Sequence, residues 1–214
     1  MISQSKLRVA WTASSNSFYE LQNWREEARD WTSATPTLIP LSNVRQWKTT
    51  SRSDAYEHVS GKFFSIVGIN HNVDCERNWT SSAMIDQPEV GLLGLAVTKT
   101  RTGFAALVQA KAEPGTIGGC QISPTVQATE SNQIQAHGGK PVQFLDLFRA
   151  PKVVLSDTIQ SEHGGIFWRK RNRSLIIEVP FFDPPLGFRW VEVVDLIKLI
   201  SCLLYTSPSP RDRG

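Results

Sequence analysis

Short apolar runs that end in turn residues dominate the chain, and their spacing limits its fold more than any other feature. Residues 92–98 and 104–110 are two such runs, with Arg101, Thr102 and Gly103 between them. That is the signature of an antiparallel hairpin. Residues 62–69 read as a further strand, and 121–129 as an extended segment in which Pro124 marks an edge position or a bulge. A second hairpin is expected from 153–160 and 166–170 around Gly164 and Gly165, followed by a strand over 174–179. Helices punctuate this pattern. Residues 17–30 begin with the capping-box pair Ser17 and Glu20 and carry Phe18, Leu21, Arg25 and Ala28 at helical spacing. Residues 142–149 follow Pro141, a favoured first-turn residue. Residues 191–201 place Val193, Leu196, Ile197 and Ile200 on one apolar face. Antiparallel strands interrupted by a few helices predict an α+β domain over 61–201, preceded by a helix and a Ser/Thr/Pro-rich surface segment within 1–60.

Composition removes several function classes. Hydrophobic residues make up 40% and charged residues 20% of the 214, which suits a globular domain rather than a disordered chain. The formal charge of +3 comes without a basic run, so nothing predicts a nucleic-acid partner. Cys75, Cys120 and Cys202 show neither a disulfide framework nor metal-ligand spacing. No stretch approaches the length of a membrane span and the N-terminus lacks an apolar signal region, so the expected location is the cytoplasm. The run of eleven residues from Cys202 to Asp212 matches the translation of a common sequencing adapter. Residues 202–214 are therefore expected to be a non-native tail, and 1–201 the natural part.

Three polar segments carry the candidate chemistry. In residues 108–115, V-Q-A-K-A-E-P-G, strand alternation puts Gln109, Lys111 and Glu113 on one face and Val108, Ala110 and Ala112 on the other. Residues 124–132 repeat the pattern with little charge, placing Thr125, Gln127, Thr129 and Ser131 together ahead of Asn132. Such stripes fit a solvated face, and equally a pocket lined for hydrogen bonding to a sugar. The third segment holds Gln160, Ser161, Glu162 and His163, then Arg169, Lys170, Arg171 and Arg173. The basic cluster suits an exposed hairpin tip or a clamp for a diphosphate, which guanidinium groups bind in bidentate fashion.

Taken in order, L-V-Q-A-K-A-E-P-G, S-P-T-V-Q-A-T-E-S-N, H-G-G, D-x-x-Q-S-E-H-G-G-x-F and K-R-N-R resemble the NDP-hexose 2,3-dehydratase family across roughly residues 60–200. His163 stands where a glutamine is more familiar, and Glu130 where a basic residue is. The resemblance implies a Nudix-like domain, the first of two in tandem, with a mixed or antiparallel sheet and flanking helices. It implies a homodimer that uses no redox cofactor and requires no metal, and a dTDP-4-keto-6-deoxyhexose substrate that loses water across C2 and C3. The Glu-rich cluster of a true Nudix hydrolase is missing, which disfavours metal-dependent pyrophosphate cleavage.

On that reading Glu113, His137 and Glu162 have the acid/base repertoire, with no order among them. Gln109, Lys111, Gln127, Thr129, Ser131, Asn132, Gln160 and Ser161 could bind sugar hydroxyls or the enolate oxygen. Arg169, Lys170 and Arg173 could meet the diphosphate, and Trp31 or Trp79 could stack on thymine. The competing reading is a non-catalytic domain that binds nucleotide-sugar or braces the dimer while a missing partner domain catalyses.

Overall fold

The computed structural model describes residues 17–32, 36–50, 54–72, 79–116, 118–133 and 141–201. The expected tail lies outside them, as do His137 and the side chains of Trp31 and Trp79. Two sheets organise the chain. The smaller joins β1 (Trp47–Thr49), β2 (Tyr56–His58), β3 (Ser65–Asn72), β4 (Trp79–Asp86) and β10 (Phe167–Trp168), with β10 parallel to β4 and the rest antiparallel. The larger has seven strands. Its main path runs β12 (Phe188–Glu192), β6 (Phe104–Lys111), β5 (Gly91–Lys99), β11 (Arg171–Glu178) and β9 (Val153–Ser161), while β7 (Gln121–Ser123) pairs β6 and β8 (Val126–Ala128) pairs β5. Strands β5 and β11 are parallel, so this sheet too is mixed. The helices are α1 (Ser17–Thr32), α2 (Glu130–Gln133), α3 (Leu145–Arg149) and α4 (Val193–Ser201). The α+β class read from the sequence is the class observed.

Both faces of the larger sheet are covered, which explains why β6 is apolar on both sides at its start. Leu107 packs with Val126, Leu175, Ile177, Trp190 and the α3 residue Phe148. Val108 points the other way, into a second core with Leu21 and Trp24 of α1 and Leu199 of α4. Gly94 admits Phe148 flat against the sheet, since a Cβ there would lie 2.6 Å from the ring. A rigid ring cannot yield at that distance, so this position excludes any larger residue.

Three expectations need revising, and one strand was not foreseen. Residues 33–60 do not merely cross the surface: β1 and β2 pair there because Trp47 stacks on Tyr56 at 5.7 Å and meets Phe64 at 4.8 Å. The run 79–86, unassigned from sequence, is the strand β4. The second hairpin closes between β9 and β11, and β10 leaves it for the smaller sheet. At the end of the chain, residues 188–192 form a strand paired with β6, so the helix starts at Val193 and turns Leu199 inward rather than Ile197 and Ile200.

One side chain sets how β5 and β6 part. They pair from Ala96↔Leu107 to Lys99↔Phe104 and then diverge, with β7 and β8 entering the gap. At the fork Thr125, 1% exposed, accepts a hydrogen bond from the Ala96 amide at 2.9 Å and donates to the Leu107 carbonyl at 2.5 Å. Its hydroxyl thus replaces a missing ladder bond. Thr125→Val, which keeps the shape and leaves both groups unpaired, should destabilise the fold by about 2–4 kcal/mol in urea unfolding, and Thr125→Ser by clearly less. Equal costs for the two variants would show that the hydroxyl carries none of the effect.

Candidate functional site

The polar stripe of β6 begins where its apolar face ends. Gln109 and Lys111 follow Leu107 on the same side of the strand, and Phe188 lies beside Gln109 on β12. They form one side of a cleft of about 390 Å³ that Gln127 of β8 and the segment Pro141, Val142 and Gln143 complete. Gln109 donates from Nε2 to the Pro124 carbonyl at 2.9 Å, which fixes its amide and leaves the carbonyl oxygen able to accept. Lys111, the one cation among the described lining residues, pairs with Glu113 at 2.8 Å, both partly exposed.

The segment 141–143 lines the cleft because the helix expected from residue 142 starts only at Leu145. Phe144 adopts φ 61, in the left-handed region, and so interrupts helical geometry. A non-glycine residue rarely holds that conformation without support. Here the support is aromatic: the Phe144 ring lies 5.4 Å from Phe182 and 4.9 Å from Phe188, the latter edge to face.

A second polar cluster forms around Glu89 in the turn between β4 and β5. Its Oε2 accepts from the Ser131 amide at 3.2 Å and from the Ser131 hydroxyl at 3.1 Å, and Ser131 also meets Thr129 at 3.0 Å. The Glu89 carbonyl accepts from Lys170 Nζ at 2.5 Å. Lys170 is only 5% exposed, and burial holds its ammonium below the usual lysine range, partly offset by the charges of Glu89 and Glu162. Glu162 accepts from Asn172, whose amide occupies the space beside Gly91: a Cβ on Gly91 would lie 2.5 Å from Asn172 Oδ1.

Comparison with known proteins gives this geometry a context. The sequence pattern of the family described as NDP-hexose 2,3-dehydratase matches residues 19–206. The chain belongs to that family. Among its relatives, each named a dTDP-4-dehydro-6-deoxy-alpha-D-glucopyranose 2,3-dehydratase, the protein of Saccharopolyspora spinosa is 37% identical over 76% of this chain and 34% of its own length. That of Amycolatopsis orientalis is 34% identical over 90% and 46%, and that of Streptomyces violaceoruber 41% identical over 66% and 33%. The chain thus spans between a third and a half of these relatives. An ADP compounds hydrolase known from its crystal structure is similar at a TM-score of 0.40 with 10% identity, over 77% of this chain and 86% of that one.

Within this 2,3-dehydratase family chain, the residues singled out from sequence separate into groups. Gln109, Lys111 and Gln127 meet at the cleft, with Glu113 attached through Lys111. Thr129, Ser131, Lys170 and Glu162 belong instead to the Glu89–Asn172 cluster, and Thr125 is spent on the strand fork. The Asn132 amide bonds Thr129 at 3.3 Å, and its side chain is exposed. Gln160 and Ser161 sit on the exposed edge strand β9, where Gln160 accepts from Ser174 at 3.4 Å. The three basic residues expected to share a diphosphate do not converge. Arg169 lies over the Trp168 ring at 4.6 Å, Lys170 is buried against Glu89, and Arg173 forms a two-point pair with Asp157 at 2.8 and 2.7 Å. His137 falls outside the described residues. Sequence reasoning missed Glu89, Asn172, Gln143 and Phe188. Only Asn172 stood inside a quoted motif.

Two outcomes follow from these contacts. Gly91→Ala and Asn172→Ala should each lower stability by about 1–2 kcal/mol, and the double variant should cost no more than either alone, because both remove the same support from Glu162. Additive losses would separate the two positions. The Arg173 hydrogen bond, aided by its charge and opposed by partial burial, holds Asp157 below its ordinary 3.8. The pair therefore stabilises fully above that value and is lost as pH falls through the lowered one. Urea midpoints of the natural chain and Asp157→Asn should differ at pH 6 and converge as pH drops below the folded-state value. A gap that persists to the acid limit would contradict the pairing.

Proposed function

We propose that this chain holds the substrate of a 2,3-dehydratase in the Gln109–Gln127 cleft, and that the intact protein eliminates water across C2 and C3 of dTDP-4-keto-6-deoxy-D-glucose. The observation that carries the reading is the coincidence of the family pattern with a cleft lined by primary amides, which both donate to and accept from hydroxyl groups. The substrate itself supplies the activating group. Its C4 carbonyl acidifies the C3 proton, a base removes that proton, and the C2 hydroxyl departs as water once an acid protonates it. The resulting enol tautomerises to a 3,4-diketo sugar, so the sequence of steps balances without an oxidant or a cofactor.

The side chains at hand suggest the division of roles. The Glu113 carboxylate, next to Lys111, is the candidate base, and the Lys111 ammonium can stabilise the enolate oxygen as the proton leaves. His137, which precedes the segment 141–143 in sequence, is the candidate acid for the C2 hydroxyl. Glu162, held by Asn172 in the cluster around Glu89 rather than at the cleft, is the alternative acid. Homodimerisation and a cytoplasmic location belong to the same reading. Among the described residues, no helix is long and apolar enough to cross a membrane.

A second reading has its own support. The Glu113 carboxylate is already engaged by Lys111 and that of Glu162 by Asn172, and the chain spans only between a third and a half of its relatives' length. This domain then binds nucleotide-sugar while another part of the protein catalyses. Intact parent protein carrying Glu113→Gln or His137→Asn should lose about 10²–10⁴-fold in kcat on the 4-keto sugar if the first reading holds. Unchanged turnover in both, with dTDP-sugar still binding this chain, would favour the second.

A further inference from the structure

The lining of the cleft is chemically divided. Gln109, Gln127 and Gln143 have amide side chains, whereas the side chains of Pro141, Val142 and Phe188 are carbon alone. Among the described lining residues Lys111 is the one ammonium, and it is matched by Glu113, so this lining offers a diphosphate no unpaired cation. What fits is an uncharged ring with hydroxyls along one part and a bare carbon along another. We propose that Val142 and Phe188 are specificity-determining residues that read the deoxygenated C6 carbon of the hexose. The proposal rests on the cleft being the nucleotide-sugar site.

Two further features favour an apolar reader at this place. The first is the backbone. Phe144, held at φ 61 between Phe182 and Phe188, keeps 141–143 out of α3 and presents Val142 to the cleft. A conformation that costs free energy persists where something depends on it. The second is desolvation. A C6 methyl against Val142 and Phe188 leaves water favourably. A C6 hydroxyl in the same place loses its water and finds no partner, because neither side chain offers a donor or acceptor. The amide side discriminates little between the two sugars, since their remaining hydroxyls are the same.

The test uses two ligands that differ only at C6, dTDP-glucose and dTDP-6-deoxyglucose, titrated calorimetrically into the 214-residue chain, with dTDP and dUDP as controls. The natural chain should bind the 6-deoxy sugar about tenfold more tightly, the order of discrimination that an unpaired hydroxyl produces. Phe188→Tyr and Val142→Thr each add one hydroxyl at nearly constant shape. Each should bring the two affinities within about twofold while leaving dTDP affinity unchanged. If one variant fails to fold, as judged by its unfolding transition, the other decides. Equal affinities for both sugars in the natural chain would overturn the inference and leave the nucleotide-sugar reading intact. A preference for dTDP over dUDP that the two variants abolish, without dependence on C6, would mean that the apolar lining reads thymine. That result too overturns it. Absence of binding by dTDP and both sugars would remove the nucleotide-sugar reading itself, and this inference with it.

Discussion

A single hydroxyl holds open the place where the site forms. Strands β5 and β6 begin as an ordinary antiparallel pair, and past the fork Gln109 and Lys111 pair with β7 in place of β5. There Thr125 takes the Ala96 amide and the Leu107 carbonyl on one buried oxygen. Two buried backbone groups that would otherwise be unpaired are satisfied, so the fork is stable rather than frayed. Strands β7 and β8 then fill the gap, and Gln127 arrives next to the β6 stripe. The Gln109 amide closes the arrangement by holding the Pro124 carbonyl, one residue from Thr125. Fork and cleft are consequently one construction.

Charge is distributed by a different logic. Three cations of the candidate segments already have partners: Lys111 has Glu113, Arg173 has Asp157 and Lys170 has the Glu89 carbonyl. Exposed pairs such as Arg173 with Asp157 add little to stability, whereas Lys170 is buried, and a buried ammonium without partners is costly. Glu89 therefore matters beyond its own contacts. Through Ser131 it anchors α2, and through Lys170 it anchors the turn that leads from β10 into β11.

Much of this was legible in the residues themselves, and what was not has identifiable causes. The strands β5, β6, β9 and β11 announced themselves because each is a long apolar or alternating run ending in a turn. Gln109 and Lys111 share one face of β6, as alternation implied, because strand alternation is a local rule. Phe188 was missed because the periodicity of 191–201 also suits a helix, and only the pairing of 188–192 with β6 decides where strand ends and helix begins. The start of α3 was misplaced for a similar reason: Pro141 signals a first turn, but the left-handed Phe144 depends on Phe182 and Phe188, some forty residues away. The three polar residues Thr125, Gln127 and Thr129 looked equivalent in sequence. They differ in structure because β8 has only three residues, and what flanks so short a strand is fixed by tertiary contacts. Basic residues close in sequence suggested one anion site, and separate acidic or aromatic partners drew them apart.

The central claim is that the fork-bordered cleft receives the nucleotide-sugar. The most direct measurement is NMR observation of side-chain amides as dTDP-4-keto-6-deoxyglucose is titrated into the chain. The Gln109, Gln127 and Gln143 amide signals should shift with one common saturation curve, while those of Gln160 on β9 stay in place. Saturable shifts at Gln160 and along β9, with the three cleft amides unmoved, would contradict the account.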